Sequence, residues 1–342
     1  MDPTAGPHGG SRWACGEHDG ALLVGRAPKA RRARRRRVGR PARDGPRAAR
    51  ARTDSVSALA ERAGVSEHAE REDEREAIEI DALLESVFRF YGVDFRGYAR
   101  GSLRRRLRRR ATLEGVATIS GLQERLLHAP AAMERLLADL SIHVTAMFRD
   151  PSFYRAFRQR VVPLLATYPF IRIWNPGCAT GEETYSLAIL LEEAGLYERT
   201  RIYATDIDAT VLQRAAAAVF PIENMQRYTE NYLAAGGERA FSEYYAAAYD
   251  GARFDAVLTR NIVFARHNLV SDGSFNEFHA VVCRNVMIYF DPSLQRRVHA
   301  LFAASMVRLG ILALGQKESL VGTGIEADYD VLDPIERIYR RK

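Results

Sequence analysis

The chain has 342 residues and a formal net charge of +7, yet residues 26–52 alone hold 13 Lys or Arg against one Asp, which leaves −5 for everything else. The basic balance is therefore local and does not mark the rest of the chain as a nucleic-acid binder. Three widely spaced cysteines, Cys15, Cys178 and Cys283, exclude a disulfide framework or a zinc site. No apolar stretch approaches the roughly 18 residues of a membrane helix, so a cytoplasmic protein without membrane insertion is expected.

Residues 1–54 are rich in Gly, Pro, Ala and Arg and lack an apolar period, and residues 55–75 are charged and only weakly periodic. A disordered basic extension over 1–75 is expected, with at most a fraying helix near its end, because nothing there buries enough surface to offset ordering entropy. From Ile78, apolar residues recur at helical spacing through Leu83, Leu84, Val87 and Tyr91, and Gly92 reads as a stop. A second helix is predicted over 95–113, with Leu103 and Leu107 on one stripe and arginines at 104–106 and 108–110 around the rest. Further helices at 119–128 and 130–142 complete a small helical domain over 76–142.

Residues 151–168 read as a connecting helix. Beyond it, strands at 171–175, 201–205, 261–265, 278–283 and 311–315 alternate with helices at 182–194, 208–217 and 293–308. That alternation predicts an α/β domain over 143–342, with a mostly parallel sheet covered on both faces. The Tyr-rich stretch 221–258, with Gly236-Gly237, breaks the rhythm and reads as a small inserted antiparallel piece.

The most informative segment is Arg172-Ile173-Trp174-Asn175-Pro176-Gly177-Cys178-Ala179-Thr180-Gly181-Glu182-Glu183, a strand, a glycine turn and a helix start. Asp206 ends the next strand, where such folds place a ribose-binding acid; Asp208 reads as the cap of the following helix. A pyrophosphate needs bare amides at the helix N-terminus, and Glu182 and Glu183 would repel it. A cofactor with a positive charge and no phosphate fits, which points to S-adenosylmethionine (SAM). Thr180 and Glu183 fit a capping box. Arg284 and Asn285 directly follow an apolar strand, at the carboxyl edge of the sheet, with Tyr289 close behind. Asn268, at the tip of a third strand, is either an adenine reader or a turn residue. Cys178 and Cys283 read as small buried hydrophobes. The six arginines of the second helix are read without acidic partners one turn away, so their mutual repulsion favours an anionic partner.

In combination, Tyr98-Ala99-Arg100 with the arginine run, Thr145 with Phe148-Arg149-Asp150, the 177–183 loop, Ala204-Thr205-Asp206-Ile207-Asp208, His267-Asn268-Leu269, and Cys283-Arg284-Asn285 with Ile288-Tyr289-Phe290 resemble the chemotaxis receptor methyltransferase family, CheR, over residues 78–341. The resemblance implies an α-helical N-terminal domain plus a Rossmann-like, class I SAM-dependent methyltransferase domain with an inserted antiparallel β-subdomain. It implies SAM contacts at His143, Thr145, Arg149, Gly177, Gly181, Glu182, Asp206, Asn268, Leu269, Arg284 and Asn285, and a methyl-transfer site lined by Arg149 and Tyr289. It further implies docking of Arg104, Arg105, Arg106, Arg108 and Arg109 on the cytoplasmic helical domain of methyl-accepting chemoreceptors. The implied products are a glutamyl γ-methyl ester and S-adenosyl-L-homocysteine. A monomer without metal or nucleic acid is expected. The alternative is a SAM-dependent RNA methyltransferase gripping phosphates with the basic helix, although the D/N-P-P-aromatic motif of amino-methyltransferases is missing after Asn285.

Overall fold

The computed structural model describes residues 70–140 and 145–342; the basic extension up to residue 69, and His143, lie outside the described residues. Helix α1 covers residues 70–91, so residues 70–75 are helical where a disordered segment was expected. Within and next to this segment, Asp73 and Glu76 pair with Arg104 and Arg108 of the following helix. Gly92, at φ +69°, ends α1 in the left-handed conformation that glycine adopts without penalty.

Helices α2 (Arg100–Leu113), α3 (Ile119–His128) and α4 (Pro130–Leu140) complete the helical part. Their apolar stripes, with Leu83, Leu107, Leu122 and Leu136 fully buried, share one core with α1. The Thr118 hydroxyl caps α3 by accepting the Gly121 N–H at 3.0 Å. Helix α2 starts five residues later than its periodicity predicts, because the backbone of 97–99 is committed elsewhere. The Ala99 N–H donates to the Tyr289 carbonyl and the Asp291 N–H to the Gly97 carbonyl, both at 2.8 Å, in a bridge centred on Tyr98 and Phe290.

The connecting helix runs from α5 (Pro151–Ala156) through a π-helical turn (Phe157–Val161) into α6 (Val162–Leu165). There follow β1 (Ile171–Pro176), α7 (Glu182–Glu193), β2 (Thr200–Asp206), α8 (Ala209–Ala217), β3 (Val219–Pro221), α9 (Met225–Ala234), β4 (Tyr245–Ala248), β5 (Gly251–Phe254), α10 (Ala256–Thr259), β6 (Ile262–Arg266), β7 (Phe278–Cys283), α11 (Pro292–Ala304), β8 (Met306–Leu314), β9 (Tyr329–Asp333) and β10 (Ile338–Arg341). Seven strands form one sheet in the order β6-β2-β1-β7-β8-β10-β9. The first five are parallel, while β10 is antiparallel to both β8 and β9.

The two-residue period of β1 explains the layers. Ile171 and Ile173 face the core formed with α5, α7 and α9, whereas Trp174 points to the opposite core with Phe278, Val298 and Phe302 of β7 and α11. Strand β7 is buried at all six positions, as a central parallel strand covered on both faces must be. Three further strands, β3-β5-β4, form the antiparallel insertion. That insertion also contains helix α9, which its Tyr content disguised: Met225, Tyr228 and Tyr232 are the buried helical stripe. Strand β8 begins at Met306, inside the segment assigned to the preceding helix, and β9 and β10 add an edge that the sequence reading did not contain.

Candidate active site

A cleft of about 1000 Å³, counted to its open mouth, lies at the carboxyl ends of β1, β2, β6 and β7. Its floor is the loop between β1 and α7. Gly177 (φ +69°), Ala179 (φ +48°) and Gly181 (φ +97°) are all left-handed, which folds the loop back on itself. The Cys178 N–H donates to the Thr205 carbonyl at 3.0 Å, and the Ala179 N–H to Asp206 Oδ2 at 3.0 Å. Asp206 Oδ1 accepts the Asp208 N–H at 3.1 Å. Asp206 thus clamps the loop from the tip of β2 while lining the cleft. Asp208 accepts the Thr210 N–H at 2.8 Å and caps α8, as its position predicts.

The two acids at the start of α7 point to different surroundings. Glu183 lines the cleft, and Glu182 and Gly181 do not. No capping box forms: Gly181 is the N-cap, and the Thr180 hydroxyl donates to Glu182 Oε2 at 2.6 Å. Glu182 is also met by the Tyr228 hydroxyl at 3.3 Å, on the side of the insertion. Adjacent helical residues point about 100° apart, so a one-residue shift of the cap exchanges which carboxylate faces the cleft. Gly181 serves the backbone instead: its φ of +97° strains any residue with a Cβ, which would also stand a tight 3.0 Å from Ala215 Cβ.

Arg284 is buried at the end of β7. Its Nη1 donates to Glu183 Oε2 at 2.8 Å and to the Arg149 carbonyl at 3.2 Å, and its Nη2 to Asp150 Oδ2 at 2.8 Å. Its guanidinium also stacks on the Phe153 ring at 4.0 Å. Burial pushes the Glu183 carboxyl up, against the opposing charge and hydrogen bond of Arg284. Burial also works against the Arg284 charge, but Glu183, Tyr154 and Asp150 hold the guanidinium above its ordinary range. Arg284 therefore braces the loop that presents Arg149. That loop is strained on both sides: Phe148 and Asp150 have φ of +51° and +58°, a conformation costing non-glycine residues about 1–3 kcal/mol. The buried Phe148 N–H to Ser186 Oγ bond at 2.8 Å helps hold it.

Of the other predicted residues, Thr145, Arg149, Gly177, Asp206, Asn268, Leu269, Arg284, Asn285 and Tyr289 all meet in the cleft. Asn268 Oδ1 accepts the Val270 N–H at 2.9 Å, so the turn uses its oxygen. Tyr98 and His267 were named as sequence markers without a role, and both line the cleft, as does Val286. Burial and the nearby Asp206 charge push the Cys178 thiol well up, and burial does the same to Cys283. Both are inert packing groups.

Several arginines of α2 have acidic partners within the protein, where none was expected one turn away. Arg104 and Arg108 are paired with α1, and Arg110 is paired with Asp139 of α4 and with Glu114, one turn away at 3.3 Å. Arg106 donates to the Leu140 carbonyl and lies 5.1 Å from the Tyr289 ring centroid; burial lowers its pKa. Only Arg105 and Arg109 remain both exposed and without an ion pair among the described residues of α2.

The first turn of α7 carries two acids, and Asp206 and Glu183 face the cleft. This donor set accepts a cation with hydroxyl and amino donors and rejects a pyrophosphate, which is the chemistry of SAM. The family described as CheR methyltransferase matches in two parts, its all-alpha domain over residues 78–141 and its SAM binding domain over residues 143–331. Cher3 of Pseudomonas putida is 46% identical over 264 residues, covering 77% of this chain and 97% of the relative. A protein of Pseudomonas aeruginosa named chemotaxis protein methyltransferase 2 is 30% identical over 258 residues, covering 74% of this chain and 89% of its own. The chemotaxis protein methyltransferase of Listeria monocytogenes is 27% identical, covering 71% and 89%. The chain belongs to the CheR methyltransferase family, and its cofactor is S-adenosylmethionine.

Proposed function

We propose that this protein methylates glutamate side chains of chemoreceptors, giving γ-glutamyl methyl esters and S-adenosyl-L-homocysteine. SAM, when bound, supplies an electrophilic methyl on a sulfonium. The observation that carries the reading is the grouping in one cleft of Arg149 and Tyr289 with Asp206 and Glu183, beside a helix whose exposed Arg105 and Arg109 are unpaired among the described residues. Asp206 takes ribose hydroxyls, Glu183 and the 177–179 loop hold the amino-acid tail, and Asn268 and Leu269 take the adenine edge.

A glutamate side chain has a reference pKa near 4.3 and is already nucleophilic at neutral pH. No general base is needed. The protein's work is to desolvate one carboxylate oxygen and hold it in line at about 3–3.5 Å. Arg149 holds the acceptor carboxylate, and the Tyr289 hydroxyl donates the hydrogen bond that orients it. Arg105 and Arg109 dock on an acidic receptor helix. The RNA alternative gains no support, because Arg104, Arg108 and Arg110 are paired within the protein.

The test is transfer of labelled methyl from SAM to receptor-containing membranes, followed by mild alkali. Release of volatile labelled methanol identifies a carboxyl methyl ester. Alkali-stable label, or label only in added RNA, would overturn the reading.

A further inference from the structure

The loop after β7 brings Asn285, Val286 and Tyr289 to the cleft. Asn285 turns it with a φ of +60°, a left-handed conformation that asparagine adopts more readily than most residues with a Cβ. What holds it comes from 31 to 33 residues further on, past the end of β8. Glu318 is only 5% exposed, and its carboxylate accepts four backbone N–H groups. Oε2 takes Asn285 at 3.0 Å and Gly315 at 2.6 Å; Oε1 takes Val286 at 2.9 Å and Met287 at 2.8 Å. No ion pair reaches Glu318 among the described residues, so the buried charge is met by amide dipoles alone, as in an anion-binding nest.

Two close approaches show that this turn has no slack. A Cβ on Gly315 would lie 2.8 Å from Glu318 Oε2 and 2.9 Å from the Asn285 nitrogen, so only glycine lets the end of β8 reach the turn. A Cβ on Gly177 would lie 2.4 Å from Val286 Cγ2, so the turn in turn packs directly on the loop that lines the cleft floor.

We propose that Glu318 is a positioning residue for methyl transfer: its carboxylate sets the 285–287 turn, and through Val286 and Gly177 it sets the loop that receives SAM. This extends the family's SAM chemistry to a residue outside the cleft and does not depend on the identity of the methyl acceptor.

The experiment is calorimetric titration of S-adenosyl-L-homocysteine into the full chain and into its Glu318→Gln, Glu318→Asp and Glu336→Gln variants, with thermal unfolding of each. Glutamine keeps the shape but points an N–H at amide donors, and losing a charged acceptor corresponds to roughly tenfold or more in affinity. Glu318→Asp keeps the charge and is expected to fall between Glu318→Gln and wild type. Glu336→Gln removes another buried carboxylate, one bonded to Gln316 at 3.2 Å and absent from the cleft lining, and is expected to bind normally. Binding by Glu318→Gln within twofold of wild type would overturn the proposal, as would an equal loss in Glu336→Gln. If Glu318→Gln does not fold, Gly315→Ala reads the same contact, and normal affinity there would overturn it. Failure of the glutamate-ester reading would leave all of these affinities unchanged, so the two failures are distinguishable.

Discussion

Arg284 Nη1 and Glu183 Oε2 stand 2.8 Å apart, with the arginine side chain 1% exposed, and this pair locks the end of β7 to the first turn of α7. Removing Arg284 leaves Glu183 buried with only the Asn175 amide as a partner, at 2.9 Å, and loss of the counter-charge costs about 3–5 kcal/mol in comparable pairs. Arg284→Met is expected to lower unfolding free energy by that amount and to release the Arg149 loop. Adding Glu183→Leu to Arg284→Met should recover part of the loss, because the stranded carboxylate is then gone. Urea denaturation of the two single variants and the double variant checks this; strictly additive losses would show that the pair is not coupled.

The Asp206 carboxylate that clamps the loop is also the proposed ribose acceptor. Asp206→Ala removes the acceptor of the Ala179 and Asp208 amides as well as the proposed ribose contact. Loss of charge-assisted bonds of about 1.5–3 kcal/mol predicts roughly a 10- to 150-fold weaker affinity for SAM. Calorimetry measures it, and an unchanged dissociation constant would remove Asp206 from the cofactor site.

The arginine helix divides into two experiments. Arg105→Glu with Arg109→Glu is expected to lower kcat/KM for receptor methylation by roughly tenfold or more at low salt, with SAM affinity unchanged and the deficit shrinking as salt screens it. Arg104→Ala and Arg108→Ala remove pairs with α1 and are expected to leave stability and receptor methylation nearly unchanged, because solvent screens exposed pairs. Equal losses of methylation in both sets would mean that the helix acts as a structural unit and has no separate docking face.

What the sequence revealed and what it hid divide along the range of the interactions. Strand β1, the glycine loop, α7 and Asp206 follow each other closely, and local periodicity with glycine placement locates them. Residues whose partners lie far along the chain were misjudged. Counting partners one turn away within α2 misses Glu76 and Asp139, because those acids stand on other helices. Choosing between Glu182 and Glu183 requires the exact cap of α7, and end positions are the least determined part of a helix. Strands β9 and β10 carry Asp330, Arg340 and Arg341, whose charges mask an edge stabilised by non-local pairing. Glu318 is invisible to any reading that does not know that β8 lies beside β7.

His299 provides a pH test of the core under α11. It is 1% exposed, and burial lowers its pKa from 6.5 to about 4, outweighing the backbone hydrogen bond with Ser319 and the Glu326 charge that favour protonation. The folded protein therefore holds the ring neutral while the unfolded chain binds a proton below pH 6.5. For such a depressed pKa, the stabilising contribution is complete above the unfolded value and is lost as pH falls towards the folded one. Across that window the loss amounts to about 3 kcal/mol at most, at 1.36 kcal/mol per pKa unit. His299→Gln does not titrate, so its unfolding free energy should fall less steeply than that of wild type between pH 6.5 and 4. Denaturant melts of both proteins across that range supply the difference directly, and parallel pH curves would show that the ring is not held neutral in the fold.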